Sequence, residues 1–188
     1  MTAEHANRLS NHLAHCTFLC DEFASWLDGR VRLRLTAYLT NLTPPLEYIT
    51  SSRCLVLRHN SVLVQRDRDT THVLPGGRRE AHESPVEAVR REVLEETGWA
   101  IAEPLLVGLL HFTHLTPKPS GYTYPYPDFV QVVYMANAVT FVPEAKLDDG
   151  YEVESMFCSI DDLPSLTLPV SQRLFLDVAI QVRASLPE

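Results

Sequence analysis

The chain has 188 residues, of which 45% are hydrophobic, and its formal net charge is −8. This length suits one folded domain with an addition, and no apolar run approaches the roughly 18 residues that cross a bilayer. The lack of such a run predicts no membrane partner, and the negative charge argues against a phosphate-backbone partner, so we expect no nucleic acid. The polar stretch from Met1 to Ser10 is not typical of a secretory signal, which predicts a cytoplasmic protein.

The N-terminal stretch, from about Ala3 to Asp28, is predicted to form one amphipathic helix that ends at Gly29. Its apolar residues recur at steps of three and four, which places them on one stripe. The residues of this stripe are Leu9, Leu13, Cys16, Cys20, Phe23 and Leu27. Such a helix usually packs on its own domain, and the near-heptad spacing also permits a homodimer contact.

Short apolar or alternating stretches then predict a sheet. The first strand covers Val31–Leu39, and Thr43-Pro44-Pro45 breaks the chain after it. Further strands are predicted at Cys54–Leu57, Val62–Val64, Leu105–His111, Phe129–Ala136 and Val153–Ser159, with a hairpin turn at His59-Asn60-Ser61. A helix from about Val170 to Ala184 follows. This order predicts the α+β class, with α-β-α layers around an antiparallel or mixed sheet.

The residues that suggest chemistry lie between the turn Pro75-Gly76-Gly77 and Trp99. Two glycines after a proline allow the backbone to approach a ligand closely. Ser84-Pro85-Val86-Glu87 has the pattern of a helix start with a capping box, and Gly98 is placed to end the helix. A helix is therefore predicted over residues 85–97.

Three carboxylates share one wedge of this helix. At about 100° per residue, Glu92, Glu95 and Glu96 point to the same side, and Arg91 lies one turn before Glu95. The alternative is a solvated face, but such a face usually mixes charges of both signs. A hard cation such as Mg²⁺ or Mn²⁺ relieves the repulsion, because it favours carboxylate oxygens.

The same residues carry a resemblance to a known family. The pattern Gly77-x5-Glu83-x7-Arg91-Glu92-Val93-x-Glu95-Glu96-x-Gly98-Trp99 is similar to the full signature of the Nudix hydrolases. The one departure is Trp99, where the family has Ile, Leu or Val. The resemblance implies a Nudix-like α-β-α sandwich with a mixed sheet, plus an extra N-terminal helix. It divides the chain into an extension of residues 1–50 and a Nudix domain of residues 51–188.

The resemblance also implies a function. It implies a pyrophosphohydrolase that cleaves a phosphoanhydride bond in a nucleoside diphosphate linked to another group, such as ADP-ribose, with Mg²⁺ as cofactor and Mn²⁺ able to substitute. The implied metal ligands are Glu92, Glu95, Glu96 and the backbone carbonyl of Gly76. The implied catalytic residues are Glu95 and Glu92, with Arg91 orienting a carboxylate and Glu83 supporting the loop. Glu152 and Glu154 are alternatives for the base or an extra ligand, or else ordinary strand-surface residues.

Substrate recognition is predicted to involve the proline-rich stretch from Thr116 to Asp128. Its alternating Tyr122, Tyr124 and Tyr126 can stack on a base, while Lys118 and Arg78 can meet phosphate. The alternative is that the tyrosines only pack the loop onto the body.

Two other functions stay open. One is a house-cleaning nucleoside triphosphate pyrophosphohydrolase, which would release inorganic pyrophosphate. The other is a non-catalytic nucleotide-binding sensor, which the filled acidic positions of the signature disfavour. A small nucleotide derivative is the expected partner in each case.

Overall fold

The computed structural model describes residues 3–26, 28–67, 70–147 and 152–185, without the side chains of residues 3–6, 152 and 153. The helices are α1 (Ala3–Leu13), α2 (Pro85–Thr97) and α3 (Val170–Ser185). The strands are β1 (Thr17–Trp26), β2 (Val31–Leu39), β3 (Ile49–Arg58), β4 (Ser61–Asp67), β5 (Thr71–His72), β6 (Gly76–Arg78), β7 (Trp99–Ile101), β8 (Leu105–His114), β9 (Asp128–Phe141) and β10 (Glu152–Ser159).

The strands form a mixed sheet. Its main path runs in the order β1-β2-β8-β9-β3-β4-β10, while β5, β6 and β7 pair with β4, β3 and β9. Strands β3 and β9 are parallel. The neighbouring pairs β8–β9 and β2–β8 are antiparallel, which confirms the predicted mixed sheet.

Helices cover both faces of this sheet. Alternate residues of β9 belong to two apolar clusters: Val133 and Met135 pack with α3, whereas Val132 and Tyr134 pack with α2. Because successive strand residues point to opposite faces, the two clusters lie on opposite sides of the sheet. Leu9 of α1 belongs to the cluster on the α2 side. The predicted α-β-α layering is confirmed.

Helix α2 begins and ends where the sequence predicts. The Ser84 hydroxyl accepts a hydrogen bond from the Glu87 amide at 3.2 Å, and the Glu87 carboxylate accepts one from the Ser84 amide at 2.7 Å. This capping box satisfies amide groups that the first turn leaves unpaired. At the other end, Gly98 has a φ of 75°, the left-handed conformation that glycine adopts without a Cβ clash. The helix boundaries are therefore set by local residues.

The prediction of one N-terminal helix from Ala3 to Asp28 is wrong beyond Leu13. Residues 17–26 form β1 instead, which pairs with β2 from Thr17 opposite Leu39 to Trp26 opposite Val31. Asp28 and Gly29 turn the chain with φ values of 54° and 84°, as an Asp-Gly hairpin turn requires. The backbone pairing of β1 along the whole of β2 outweighs the helical spacing of its apolar residues. Hence the apolar stripe does not continue as a helical face.

The hairpin of β1 and β2, residues 17–39, is joined to the rest of the chain through both of its strands. Strand β2 pairs with β8 from Leu33 opposite His114 to Leu39 opposite Gly108. The Glu22 carboxylate accepts hydrogen bonds from the Val170 and Ser171 amides, each at 3.1 Å, at the N-terminus of α3. The hairpin is therefore an integral part of the layered body. None of the helices among the described residues is long and apolar enough to span a membrane.

Candidate active site

The glycine turn lies directly against α2. Strand β6 pairs with Ser51–Arg53 of β3, and Gly76 has a φ of 132°. A Cβ atom on Gly76 would lie 2.2 Å from the Ser52 carbonyl oxygen, and a Cβ on Gly77 would lie 2.3 Å from a Glu92 carboxylate oxygen. Both contacts are far shorter than van der Waals distance. The two glycines thus let the turn approach Glu92 closely.

Arg91 gathers three of the predicted acidic residues. Its Nε and Nη2 atoms donate to the two carboxylate oxygens of Glu83 at 2.9 and 3.0 Å. Its Nη1 atom donates to Glu92 at 2.9 Å and to Glu95 at 3.0 Å. Its Nη2 atom also donates to the Arg78 carbonyl at 3.0 Å, so the guanidinium ties α2 to the glycine turn.

The electrostatics of this group are mutually stabilising. The hydrogen bonds to Glu83, followed by those to Glu92 and Glu95, raise the pKa of Arg91 even though burial acts against its charge. The Arg91 hydrogen bond is likewise the largest cause that lowers the pKa of Glu83. Glu83 and Arg91 side chains are only 13% and 26% exposed, so solvent screens their ion pair weakly. Glu83 and Arg91 therefore remain charged throughout the neutral pH range.

Glu96 faces the same turn from the end of α2. Its carboxylate accepts a hydrogen bond from the Gly76 amide at 2.7 Å. The Gly76 carbonyl, which was predicted as a metal ligand, accepts a hydrogen bond from the Arg53 guanidinium. A carbonyl oxygen has two lone pairs, so this contact leaves one of them for a cation.

The donor set fits a hard divalent cation by its chemistry. Four carboxylates, those of Glu83, Glu92, Glu95 and Glu96, lie around the turn and Arg91, and oxygen ligands of this kind are what Mg²⁺ prefers. Among the described residues, however, no three His, Cys, Asp or Glu side chains are already arranged to hold a metal ion. One Arg91 nitrogen bridges Glu92 and Glu95 instead, so cation binding requires these carboxylates to reorient.

A cleft of about 600 Å³ opens beside the glycine turn, beneath the loop of residues 115–127. We call it the loop cleft. Arg78 borders it and donates to the Tyr124 hydroxyl at 2.6 Å, with its guanidinium 4.8 Å from the centre of the Tyr124 ring. Tyr122 also lines it, and its ring lies 5.5 Å from that of Tyr124. The loop cleft therefore combines aromatic rings with an arginine.

A second cavity of about 540 Å³ lies between β1, β8 and α3. We call it the hairpin chamber. The residues that line it include Glu22, Trp26, Arg53, His72, Phe112 and Gln131. Trp26, Arg53 and Gln131 line the loop cleft as well, so the two cavities adjoin. Because Arg53 also binds the Gly76 carbonyl, their junction lies next to the glycine turn.

The other residues predicted to bind substrate are placed differently. The Tyr126 hydroxyl donates to the Thr116 carbonyl at 3.2 Å, and its ring lies 5.1 Å from that of His114, so Tyr126 packs the loop onto the body. Lys118 is exposed and is not among the residues that line the two cavities. Of the predicted set, the structure brings together Arg78, Tyr122 and Tyr124.

The alternative acidic residues lie on β10, which pairs with β4. Glu154 is exposed and forms an ion pair with Arg66 at 3.8 Å, whereas Glu83, Glu92 and Glu95 meet on Arg91. The side chain of Glu152 lies outside the described residues. Glu154 thus pairs with a residue of β4, whereas three acidic residues of the signature are held by Arg91.

Sequence reasoning missed four residues at the cavity junction and in the chamber: Trp26, Arg53, His72 and Gln131. Asp28-Gly29 is a hairpin signal that would have placed Trp26 on a strand. Arg53 stands next to the buried Ser52 and Cys54, and a charged residue inside a buried strand is itself a signal of a functional position. No pattern singles out His72 or Gln131, because their position depends on strand pairing.

Comparison with known proteins identifies a family. Residues 48–178 match the family model of the NUDIX domain. The NAD-capped RNA hydrolase NudC of Escherichia coli O157:H7 is 28% identical over 139 residues, which is 70% of this chain and 49% of NudC. The chain thus spans about half the length of that curated relative.

Solved structures show the same fold. A NUDIX hydrolase from Nitrosomonas europaea superposes with a TM-score of 0.54 at 22% identity, covering 71% of this chain and 90% of the other. The pyrophosphohydrolase BsRppH of Bacillus subtilis superposes with a TM-score of 0.52 at 17% identity, covering 74% and 77%. At these identities, the likeness concerns the fold.

Proposed function

We infer that this chain, which belongs to the Nudix hydrolase family, is a Mg²⁺-dependent pyrophosphohydrolase whose substrate is a nucleoside diphosphate linked to a second group. The observation that carries this proposal is the pair of adjoining cavities beside the Gly76–Glu96 contact. A substrate with one group on each side of a diphosphate would occupy both cavities. A nucleoside triphosphate would occupy only one.

The cavity junction supplies cations for the diphosphate. Arg53 of β3 lies at the junction, and Arg78, which directly follows Gly77, borders the loop cleft. Guanidinium groups bind phosphate oxygens through paired hydrogen bonds. The nucleoside would then lie against Tyr122 and Tyr124, where aromatic rings can stack on its base. Each cavity falls in the range of about 300–1,000 Å³ that is typical of small-molecule sites.

Glu92, Glu95 and Glu96, with the Gly76 carbonyl, are proposed to hold the cation. Bound Mg²⁺ would neutralise the diphosphate and stabilise charge on the leaving oxygen. Arg91 positions Glu92 and Glu95 through its Nη1 atom, and Glu83 fixes Arg91 from the other side. These roles assign each acidic residue of the signature a place in binding or orientation.

The chemical step needs a base and an in-line nucleophile. We assign the base to Glu92 or Glu95, whose carboxylate accepts a proton from the attacking water. The water oxygen forms the new bond to phosphorus while the bridging oxygen leaves with its electron pair. The products are a nucleoside monophosphate and the phosphorylated second group. Glu154 is a weaker candidate for the base because its ion pair is with Arg66.

A similar protein supports this substrate class. NudC is named for the hydrolysis of NAD-capped RNA, and NAD itself contains a diphosphate between two nucleosides. At 28% identity over 139 residues, the substrate of NudC is a guide to the class of substrate rather than to the individual compound.

A product-resolved hydrolysis screen tests the proposal. The purified chain is incubated with Mg²⁺ or Mn²⁺ and with nucleoside triphosphates, nucleoside diphosphate sugars and dinucleotides, with Glu96→Gln as the control. We expect release of a nucleoside monophosphate that the control lacks. Release of inorganic pyrophosphate from triphosphates alone would favour the house-cleaning alternative. Nucleotide binding without turnover of any compound would favour a sensor.

A further inference from the structure

The N-terminal hairpin provides part of the proposed substrate site. Trp26, the last residue of β1, lines both the hairpin chamber and the loop cleft. It therefore stands where the two cavities join, although it lies outside residues 48–178 that match the family model.

The Trp26 ring is held in place by other aromatic side chains. Its centre lies 5.7 Å from that of Phe112 and 6.1 Å from that of Phe129. Phe112 and Phe129 are themselves stacked, 4.8 Å apart with an interplanar angle of 1°. Trp26 nevertheless remains 42% exposed, whereas the two phenylalanines are buried. A positioned, half-exposed indole beside a cavity offers a stacking surface at little entropic cost.

The polar groups of the hairpin chamber suit a neutral ligand group. Burial, followed by the nearby Arg53, lowers the pKa of His72, so its imidazole is neutral at pH 7 and offers one donor and one acceptor. The Gln131 side chain adds an amide at the junction. Glu22 is already engaged by the amides of Val170 and Ser171. The chamber thus combines an aromatic wall with neutral hydrogen-bonding groups.

We propose that Trp26 is a specificity-determining residue that stacks on a planar ring carried by the second group of the substrate, with Gln131 and His72 facing the polar edge of that ring. The substrate class is then a dinucleotide-like compound, with a ring at each end of the diphosphate. This inference rests on the proposed function. Under the simpler alternative, Trp26 only covers Phe112 and Phe129, and its loss would affect all substrates alike.

Two compounds that differ by one ring separate these readings. Diadenosine diphosphate and ADP-ribose share the adenosine, the diphosphate and the second ribose, but only the former has a base on that ribose. The variant is Trp26→Ala, and Trp26→Phe tests rescue. The control is Phe18→Ala, since Phe18 is on the same strand and 57% exposed, contacts Tyr38 and lines neither cavity.

The expected result is a loss confined to the substrate with two rings. In Trp26→Ala, kcat/KM for diadenosine diphosphate should fall roughly 10- to 100-fold, mainly through a higher KM. Removing one aromatic ring on which a base stacks typically weakens binding by about this factor. The kcat/KM for ADP-ribose should change less than about threefold, which also shows that the variant is folded. Trp26→Phe should keep most of the wild-type kcat/KM for diadenosine diphosphate. Phe18→Ala should leave kcat/KM for both substrates unchanged. Equal losses on both substrates would overturn the proposal, as would a wild-type chain with no preference for the second ring.

Binding measurements keep this test separate from the test of hydrolysis. If the wild-type chain cleaves none of the compounds in the hydrolysis screen, the proposed function fails, and calorimetric titration of diadenosine diphosphate and ADP-ribose still examines Trp26. Tighter binding of diadenosine diphosphate that disappears in Trp26→Ala would support the stacking role. Equal binding of both compounds to the wild-type chain would overturn it. Because the chain has two tryptophans, quenching of fluorescence by diadenosine diphosphate that Trp26→Phe abolishes would assign the contact to Trp26.

Discussion

The acidic site on α2 and the two cavities beside it are built in different ways. The acidic site comes from one stretch of chain, in which Glu83, Arg91, Glu95 and Glu96 are fixed by a capped helix and a glycine turn. The hairpin chamber instead combines residues from β1, β3, β5, β8, β9 and α3. The proposed catalytic residues are therefore encoded locally, whereas the proposed substrate site depends on pairing between strands that are distant in sequence.

The largest effect is expected from Glu96→Gln, which tests the local half of this comparison. The glutamine oxygen can still accept the hydrogen bond from the Gly76 amide, so the fold should persist. The loss of one anionic ligand should lower kcat by about 100-fold or more on every substrate, a size seen when one group that stabilises developing charge is removed. Product chromatography and thermal unfolding measure the two quantities. Turnover close to wild type would refute the metal assignment.

A smaller effect is expected from Arg91→Lys. Lysine keeps the positive charge but cannot bind both oxygens of Glu83 while also bridging Glu92 and Glu95. Loss of residues that orient metal ligands typically costs about 10- to 100-fold, so we expect kcat to fall by that factor. The apparent affinity for Mg²⁺, from activity against metal concentration, should weaken as well. An unchanged metal dependence would show that Arg91 does not position the carboxylates.

The hairpin half of the comparison can be tested through Glu22→Ala. This change removes the acceptor for the Val170 and Ser171 amides, and loss of such a cap costs about 1 kcal/mol. For a chain of this size, Tm should fall by about 2–4 °C. Glu22→Gln, which keeps one acceptor oxygen, should lose less stability. An unchanged Tm would mean that the hairpin is held mainly by β2 and β8.

The smallest effect concerns acid stability. Glu83 has a pKa lowered from its ordinary value of 4.5, first by the Arg91 hydrogen bond. A carboxylate whose pKa is lower in the folded state than in the unfolded state stabilises the fold at any pH above its pKa in the unfolded state. This stability is lost as the pH falls to the pKa of the folded state. Denaturant unfolding between pH 7 and pH 3 should therefore show a shallower acid loss in Glu83→Gln than in the wild-type chain. Parallel curves would show that the ion pair contributes no net stability.

Sequence reasoning succeeded where structure is determined locally. Ser84, Glu87 and Gly98 set the ends of α2, and apolar runs placed β2, β3, β4, β8, β9 and β10 near their observed positions. The Nudix fold and family were identified from the signature, and the structure and the family match confirm them. Each of these features depends on residues within a few positions of one another.

The errors arose where distant residues decide the outcome. The stretch around Phe23 has helical spacing, yet its pairing with β2 makes it a strand and leaves Phe23 75% exposed. The short strands β5, β6 and β7 have two or three residues each, too few for a period to appear in the sequence. Tyr126 alternates with Tyr122 and Tyr124 but turns inward against Thr116 and His114. Alternation alone does not tell which ring faces a cavity.

The contact between Glu22 and the first turn of α3 has a consequence for how the chain folds during synthesis. It joins residues that are 148 positions apart, so it cannot form until α3 has left the ribosome. At about 5–20 residues per second, several seconds pass between the emergence of β1 and the emergence of α3. During that interval the apolar side of the hairpin lacks the helix that will cover it, and such surfaces are prone to aggregate. Chaperone binding to nascent chains should accordingly be strongest before α3 emerges.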